Sequence, residues 1–288
     1  MKCDVSCIIV NFNDSIRTLS LLNLIKDYES LDYLIVVDNC STDNSFDNLS
    51  KFKNPKYHLI RTSYNGGYGF GNNVGALKAK SLGSKYILIA NPDVLFDDVC
   101  VKNLHSIITQ NPYCGVVGAR ETHLGVSGWK YTSALHDVLS ASLFFNKLLK
   151  KRYYPQDYFI GKGCVEVDLV PGCLLLVDLS KFIQVGMYDE SIFLYEEEKI
   201  LYKKMNDCGF VSLVDLDSSY KHMHKESHSV DICSIIRGRK RLLSSRVIFL
   251  KKYRHLNTVQ MFFSKAFFLG VILEMFMYGL FLNVKKRI

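Results

Sequence analysis

The first half of the chain alternates apolar runs of strand length with helical repeats. Val5–Val10 is a continuous β-rich run, and Ser15–Tyr28 carries apolar residues at 16, 19, 22 and 25, which places them on one side of a helix. Leu34–Val37 and Tyr57–Ile60 read as further strands. Asn72–Leu82 reads as a helix, and Tyr86–Ala90 as a strand running into Asn91-Pro92-Asp93. Strands that are apolar on both faces and alternate with helices predict an α/β fold with a buried, mostly parallel sheet. Such sheets bind ligands beyond the carboxyl ends of their strands. The polar clusters fall there: Asn11-Phe12-Asn13, Asp38-Asn39, Arg61 and Asn91-Pro92-Asp93.

The second half changes character. Val116–Ala119 reads as a strand, residues 121–166 show no regular pattern, and Asp168–Asp178 reads as a strand broken by Pro171-Gly172. Glu197–Cys208 is a short helix, acidic at its start, with Lys203 and Lys204 later and Gly209 past its end, an arrangement that suits the helix dipole and the C-terminal stop. Val211–Val214 is a further strand, and everything from Ser229 onward is helical in pattern.

Several segments carry candidate chemistry. Asp38 ends a strand, where a carboxylate can accept hydrogen bonds from a ribose or base; Ser41 and Asp43 read as turn and cap residues. Asn65–Ala76 is glycine-rich but is no dinucleotide fingerprint, because it follows the third strand and Asn72-Asn73 interrupts it. It reads equally as a connector and as a loop bringing backbone N–H groups to a diphosphate. Asp93, with Asn91 nearby, suits a divalent cation shared with a diphosphate, although Asn-Pro-Asp is also good turn chemistry. Glu196, Glu197 and Glu198 cluster at a helix start, where one could serve as a general base and at least one reads as ordinary capping. Lys221–Ser229 holds three of the eight histidines, including His222 and His224.

Composition narrows the class. Only 5 of 288 residues are Pro and 18 are Gly, which excludes disordered and collagen-like chains. The net charge of +8 is unevenly placed: from Lys221 onward there are 14 Lys/Arg against three Asp/Glu, a net +11, leaving −3 for the first 220 residues. An acidic body with a basic tail is not a uniformly basic nucleic-acid-coating protein. The nine cysteines show no C-x-x-C pair or zinc spacing, and several lie in apolar runs, so they read as small buried hydrophobes of a reducing compartment. The apolar run near the N-terminus is too short for a secretory leader, which places the protein in the cytoplasm.

Taken in order, VSCIIVNFN, VVDNCSTDNS, NGGYGFGNNVGA, IANPDV, VPGCLLLVDLSKFIQVGMYDESIFLYEEEKI and HMHKES resemble the family 2 inverting glycosyltransferases, most closely their rhamnosyltransferase-like bacterial branch, over roughly residues 3–229. The resemblance implies a GT-A fold, Rossmann-like and nucleotide-binding, with a helical C-terminal extension. Residues 1–228 would be the catalytic domain, with 1–120 holding the nucleotide sugar and 121–228 the acceptor, and 229–288 a separate tail. By the same resemblance Asn11, Asp38 and Arg61 line the nucleoside pocket, and Asn65, Gly67 and Asn72 shape the sugar-nucleotide loop. Asp93, with Asn91, stands at the metal motif for Mg²⁺ or Mn²⁺, Gly172 approaches the sugar or acceptor, and Glu198 is the base with Glu197 beside it. His222 or His224 completes the metal or diphosphate site. Three departures stand out: Asn91 replaces a common Asp, Glu-Glu replaces the usual Glu-Asp, and Ile200 stands where a second Asp is usual.

The implied partners are a nucleotide-diphosphate sugar and a lipid-linked saccharide acceptor used in O-antigen or capsule synthesis, with no nucleic acid and with oligomerisation left open. Met261–Leu282 is long enough to span a bilayer, but Lys265 and Glu274 are expensive there. An interfacial helix on an anionic membrane, on the inner face of the plasma membrane, fits better; a core-packing helix is the plainer alternative. Rival readings are a nucleotide-binding oxidoreductase, disfavoured by the missing fingerprint, a nucleic-acid-binding protein, disfavoured by the acidic body, and a membrane-associated scaffold of the same fold that has lost catalysis.

Overall fold

In a computed structural model of the chain, residues 4–122, 128–149, 153–223 and 232–285 are described. The elements run β1 (Val5–Asn11), α1 (Ser15–Ile25), β2 (Tyr33–Asp38), α2 (Ser45–Ser50), β3 (Tyr57–Arg61), α3 (Tyr68–Ser81), β4 (Tyr86–Ala90), β5 (Val94–Leu95), α4 (Asp98–Gln110) and β6 (Cys114–Glu121). They continue as α5 (Ala134–Leu139), α6 (Leu143–Leu148), β7 (Cys164–Val167), β8 (Leu174–Asp178), α7 (Leu179–Gln184), α8 (Glu197–Asp207), β9 (Val211–His222), α9 (Ile232–Lys252) and α10 (Thr258–Lys285). The sheet order is β3-β2-β1-β4-β8-β6-β9-β5, with β7 also on β9. β3, β2, β1 and β4 are parallel, and β6 and β9 are parallel to each other. β8 enters antiparallel between β4 and β6, so the sheet is parallel-dominated, as its doubly apolar strands predicted.

The two faces of the sheet explain those strands. Cys7, Ile9, Leu34 and Val36 pack with Leu21, Leu22 and Leu104 of α1 and α4 on one side. Ile8, Ile35 and Val37 pack with Ala76, Ala79, Phe182, Leu201 and Met205 of α3, α7 and α8 on the other. Helices on both faces bury alternate residues of every central strand, so no polar position is left in the pattern.

Helix α3 starts at Tyr68, four residues before the expected Asn72, and takes in glycines that had read as loop. Glycine is a poor helix former, at about 1 kcal/mol per residue. Here the close approach of backbone to sheet decides: a Cβ on Gly71 would meet Val10 Cγ1 at 2.7 Å, and one on Gly75 would meet Ile8 Cγ2 at 2.4 Å. These glycines seat α3 on β1 rather than cradle a ligand. Strand β9 runs to His222, well past Val214, because its polar stretch 215–219 passes through a register shift against β6 and alternates buried with exposed residues. Of the eight cysteines described, all free, Cys7, Cys100 and Cys114 are buried, whereas Cys164, Cys208 and Cys233 are exposed, against the expectation of burial.

Beyond β9, α9 and α10 form an antiparallel pair, with Gly279 of α10 against Ile232 at the start of α9. They cover α5 through Leu243, Leu250, Phe268 and Val271 on Val138 and Ala141. Phe249 of α9 packs with Ile192 and Ile200, which puts the departing Ile200 in a core rather than a site.

Candidate active site

Parallel register sets one end of the site. Asn11 pairs with Asp38 and Asp38 with Arg61, so three strand-terminal residues line up across the carboxyl edge of the sheet. Asp38 is wholly buried, and its oxygens are engaged from inside: Asn11 Nδ2 donates at 2.8 Å and Ser41 Oγ at 2.5 Å to Oδ1, and Ser41 N donates to Oδ2 at 3.2 Å. Asn11 in turn donates to Ser41 Oγ at 3.1 Å and accepts from Thr18. Arg61, half exposed, lies 3.9 Å from Asp38 and 4.8 Å over the Phe46 ring. Ser41 therefore ties the edge together instead of capping α2, whose first turn is met by Asp43 accepting from Ser45 N.

The turn before α3 follows the same logic. Asn65 Oδ1 accepts from Gly67 N and from Asn39 Nδ2, both at 3.0 Å. Gly67 has φ +92°, and a Cβ there would lie 2.1 Å from Phe193 O, so only glycine fits. Tyr68 N donates to that same Phe193 oxygen at 3.0 Å, and Tyr68 Oη donates to Gly172 O at 2.5 Å. Asn72 is buried inside α3, donates to Tyr68 O, and leaves Oδ1 without a hydrogen-bond partner.

The strand-end turn Asn91-Pro92-Asp93 meets the far end of β9. Val94 pairs with His222, Met223 N donates to Asp93 O at 2.7 Å, and His222 Nε2 lies 3.2 Å from Asp93 Oδ1. The Asp93 hydrogen bond raises the His222 pKa; burial pushes the Asp93 pKa up, but the hydrogen bond and charge of His222 outweigh it and lower it. A divalent cation can take the place of the proton shared by this carboxylate and imidazole, which are both ordinary ligand types. Among the described residues no group of three or more His, Cys, Asp or Glu is arranged to hold a metal ion, so the other ligands would come from a diphosphate and water. The pair fits such a shared cation. His224 lies outside the described residues.

Helix α8 supplies the acidic cluster, and its three glutamates have three different environments. Glu196 is buried and paired: Arg246 Nε donates to Oε1 at 2.6 Å and Lys199 Nζ lies 2.9 Å from Oε2. Burial pushes its pKa up, but these two cations win and hold it at about 2. Glu196 is thus a fixed anion and no base. Glu197 is buried, with Oε1 unbonded, and burial together with Glu198 raises its pKa. Glu198 is partly buried, with its carboxylate against Gly172, where an added Cβ would lie 2.8 Å from Oε1; burial raises its pKa too. Both carboxyls are thus held above the ordinary glutamate range and bind a proton more readily than a free side chain. Tyr195 and Glu196 precede the helix with φ of 74° and 70°, two successive left-handed non-glycine residues that cost about 1–2 kcal/mol each.

One cavity of about 610 Å³ is lined by Asn91, His222, Gly172, Glu197 and Glu198, together with Trp129, Asn146 and Arg239. Asp93, the strand-edge residues Asn11, Asp38 and Arg61, and Asn65, Gly67 and Asn72 are not among its lining residues. A carboxyl pair of raised proton affinity beside an imidazole in one cleft is an arrangement that can accept a proton from a hydroxyl.

A family model described as Glycosyl transferase family 2 matches residues 6–166, which contain the strand-edge residues, Asn65–Asn72 and Asp93. The chain belongs to glycosyl transferase family 2. Among curated relatives of this chain, the "Low-salt glycan biosynthesis hexosyltransferase Agl10" of Haloferax volcanii is 24% identical over 204 residues, covering 69% of this chain and 60% of its own. Among solved structures, GalNAc-T7 with UDP, GalNAc and Mn²⁺ superposes with a TM-score of 0.64 at 15% identity, over 86% of this chain and 47% of that one. A mannosyltransferase from Pyrobaculum calidifontis, in complex with GDP-Man and Mn²⁺, does so with a TM-score of 0.58 at 13% identity, over 96% and 72%. The fold is GT-A with helices at the C-terminus. The chain therefore spans under two thirds of the hexosyltransferase and about half of GalNAc-T7.

The cavity-lining residues not singled out from the sequence as site residues include Tyr68, Glu121, Trp129 and Arg246. The lone Trp in an irregular stretch was the one available signal. Arg246 sits in a basic run whose burial no local pattern announces.

Proposed function

We propose that the protein is an inverting glycosyltransferase of the rhamnosyltransferase-like branch, moving a hexose from a nucleoside diphosphate to a hydroxyl of a lipid-linked saccharide in bacterial surface-polysaccharide synthesis. The observation that carries this reading is the cleft lined by both the Glu197–Glu198 pair and His222, the imidazole that lies 3.2 Å from Asp93. Arg61 and the edge organised by Asn11 and Asp38 would receive the nucleoside, and Asn65 and Gly67 shape the turn beside it. Asp93 and His222 would hold Mg²⁺ or Mn²⁺, which supplies charge neutralisation on the leaving diphosphate. Glu198 takes the proton of the acceptor hydroxyl, with Glu197 raising the basicity of the pair. The oxygen then attacks the anomeric carbon opposite the diphosphate, and one displacement inverts the centre.

We place the protein on the cytoplasmic face of a membrane, lying on it rather than crossing it. Thr258–Leu280 is long and apolar enough to cross, with a mean hydropathy of 1.6. Yet Glu274 is committed inside the fold: it accepts from Ser142 Oγ, Leu143 N and Phe144 N at the start of α6. Helix α10 also exposes Phe262, Phe263, Leu269, Leu273 and Met277, an apolar surface suited to the acyl boundary.

The test is turnover of a panel of UDP- and GDP-sugars with and without Mn²⁺, using the wild type, Glu198→Gln and Glu197→Gln. Wild-type transfer or donor hydrolysis, with Glu198→Gln lowered at least 100-fold, is expected. Full activity of both variants would overturn the assignment of the base.

A further inference from the structure

The turn that delivers the acidic pair is held by the C-terminal extension. Tyr195 and Glu196 are both left-handed, and the chain enters α8 directly after them. Arg246 of α9 reaches this turn although it lies 50 residues further along the chain, and it is itself buried. Its Nε donates to Glu196 Oε1 at 2.6 Å, and its Nη1 donates to Asp137 O at 2.8 Å. The neighbouring Ser245 Oγ donates to Leu194 O at 2.7 Å. Lys199 bridges Glu196 and Asp137, at 2.9 Å from each, and Arg254 pairs with the other Asp137 oxygen at 2.6 Å. A left-handed pair of non-glycine residues persists only where its surroundings fix it. Here the fixing groups come from α9.

We infer that Arg246 is a positioning residue for the base: by clamping Glu196 it holds the Tyr195–Glu196 turn and so aims Glu197 and Glu198 into the cleft. The inference rests on the proposed role of that pair. The extension is then part of the catalytic machinery and not only a means of attachment. Arg246 also acts through charge. Around the turn the ionised groups are Glu196, Lys199, Asp137, Arg246 and Arg254, and Glu196 raises the proton affinity of both following carboxyls. With Arg246 gone, Glu196 keeps Lys199 alone, and its less compensated charge makes the pair harder to ionise.

The experiment uses the full chain and the variants Arg246→Ala, Arg246→Lys and Glu196→Gln. It reads three quantities: amide hydrogen exchange over 193–200, binding of UDP and GDP, and the pH profile of donor turnover. Arg246→Ala is expected to speed exchange in that segment at least tenfold while leaving nucleotide affinity within twofold, because the nucleoside edge lies on β1–β3. Turnover should fall on the order of 100-fold, with its acid limb moved to higher pH, and Arg246→Lys should recover part of both. If Arg246→Ala does not fold, Glu196→Gln removes the charge from the same clamp with Arg246 still in place, and should speed exchange over 193–200 while moving the acid limb to lower pH. Unchanged exchange over 193–200 in the folded variant, or a turnover loss equal at every pH, overturns the inference. A wild type that turns over no donor would defeat the proposed function instead, and the exchange measurement would still decide whether Arg246 holds the turn.

Discussion

Gly172→Ala tests the position of Glu198 with a single methyl group. The added Cβ would stand 2.8 Å from Glu198 Oε1, against an ordinary contact of 3.4 Å or more, so the carboxylate must retreat by about 0.6 Å. It can do so, because it is the end of a flexible side chain, and the Gly172 φ is not left-handed. The expected cost to folding is accordingly under about 1 kcal/mol. Catalysis has less tolerance: misplacing a reacting group by about 1 Å costs on the order of 100-fold, so a drop in kcat of roughly 10- to 100-fold follows. Steady-state turnover with a saturating donor, beside a thermal melt, separates the two effects. The Tyr68–Gly172 hydrogen bond uses the backbone and survives the change. A variant that melts like the wild type and keeps kcat within twofold would show that Glu198 does not act from against Gly172.

Three further outcomes are expected. Glu197→Gln should stabilise the protein as pH rises: burial and Glu198 raise the folded pKa of Glu197, so the native state prefers it protonated, and ionisation costs stability from about 4.3, the unfolded value, up to the raised one. Melting curves of the variant and wild type should therefore coincide near pH 4 and separate in favour of the variant at pH 8; the reverse order would refute the burial argument. Asp93→Asn and His222→Ala should each abolish the enhancement of UDP or GDP binding by Mn²⁺ in calorimetry, and persistence of that enhancement in both would remove them from the cation site. Replacing Leu269 and Leu273 with Glu should release the protein from vesicles containing anionic lipid in flotation without changing nucleotide binding, and vesicle binding equal to wild type would rule out this face of α10.

The doubly apolar strands were legible because burial on both faces leaves a continuous run that no polar residue can interrupt, and Tyr86–Ala90 emerges with the expected bounds. Register then converts strand ends into a row, which is why Asn11, Asp38 and Arg61 could be grouped from sequence alone. The glycine-rich stretch misled for a physical reason. Propensity says loop, whereas Gly71 and Gly75 are there to let a helix approach Val10 and Ile8, a tertiary demand with no local signature. The same holds for the three glutamates: their chemistry is identical in sequence and is divided in space by Lys199 and by an arginine that lies 50 residues away.

The charge partition is also rewritten by packing. The +11 of the last 68 residues invited a role for its basic residues, beside the apolar helix, in attachment to an anionic membrane. Arg246 and Arg254 are withdrawn from that role: Arg246 is buried against Glu196, and Arg254 is paired with Asp137 and lies over the Tyr131 ring at 3.9 Å. Buried charges of this kind are weak evidence of net stabilisation, because desolvation offsets much of their attraction, while loss of one partner leaves the others uncompensated at a cost of about 3–5 kcal/mol. Their arrangement is therefore better explained by geometry than by stability. The two cations fix where α9 meets the turn that opens α8, and the basic residues left on the surface remain free to meet an anionic one. A helix pair that docks on a membrane through α10 while gripping the acidic turn through α9 would bring the acceptor's surface and the base into a fixed relation, which a flexibly tethered anchor could not do.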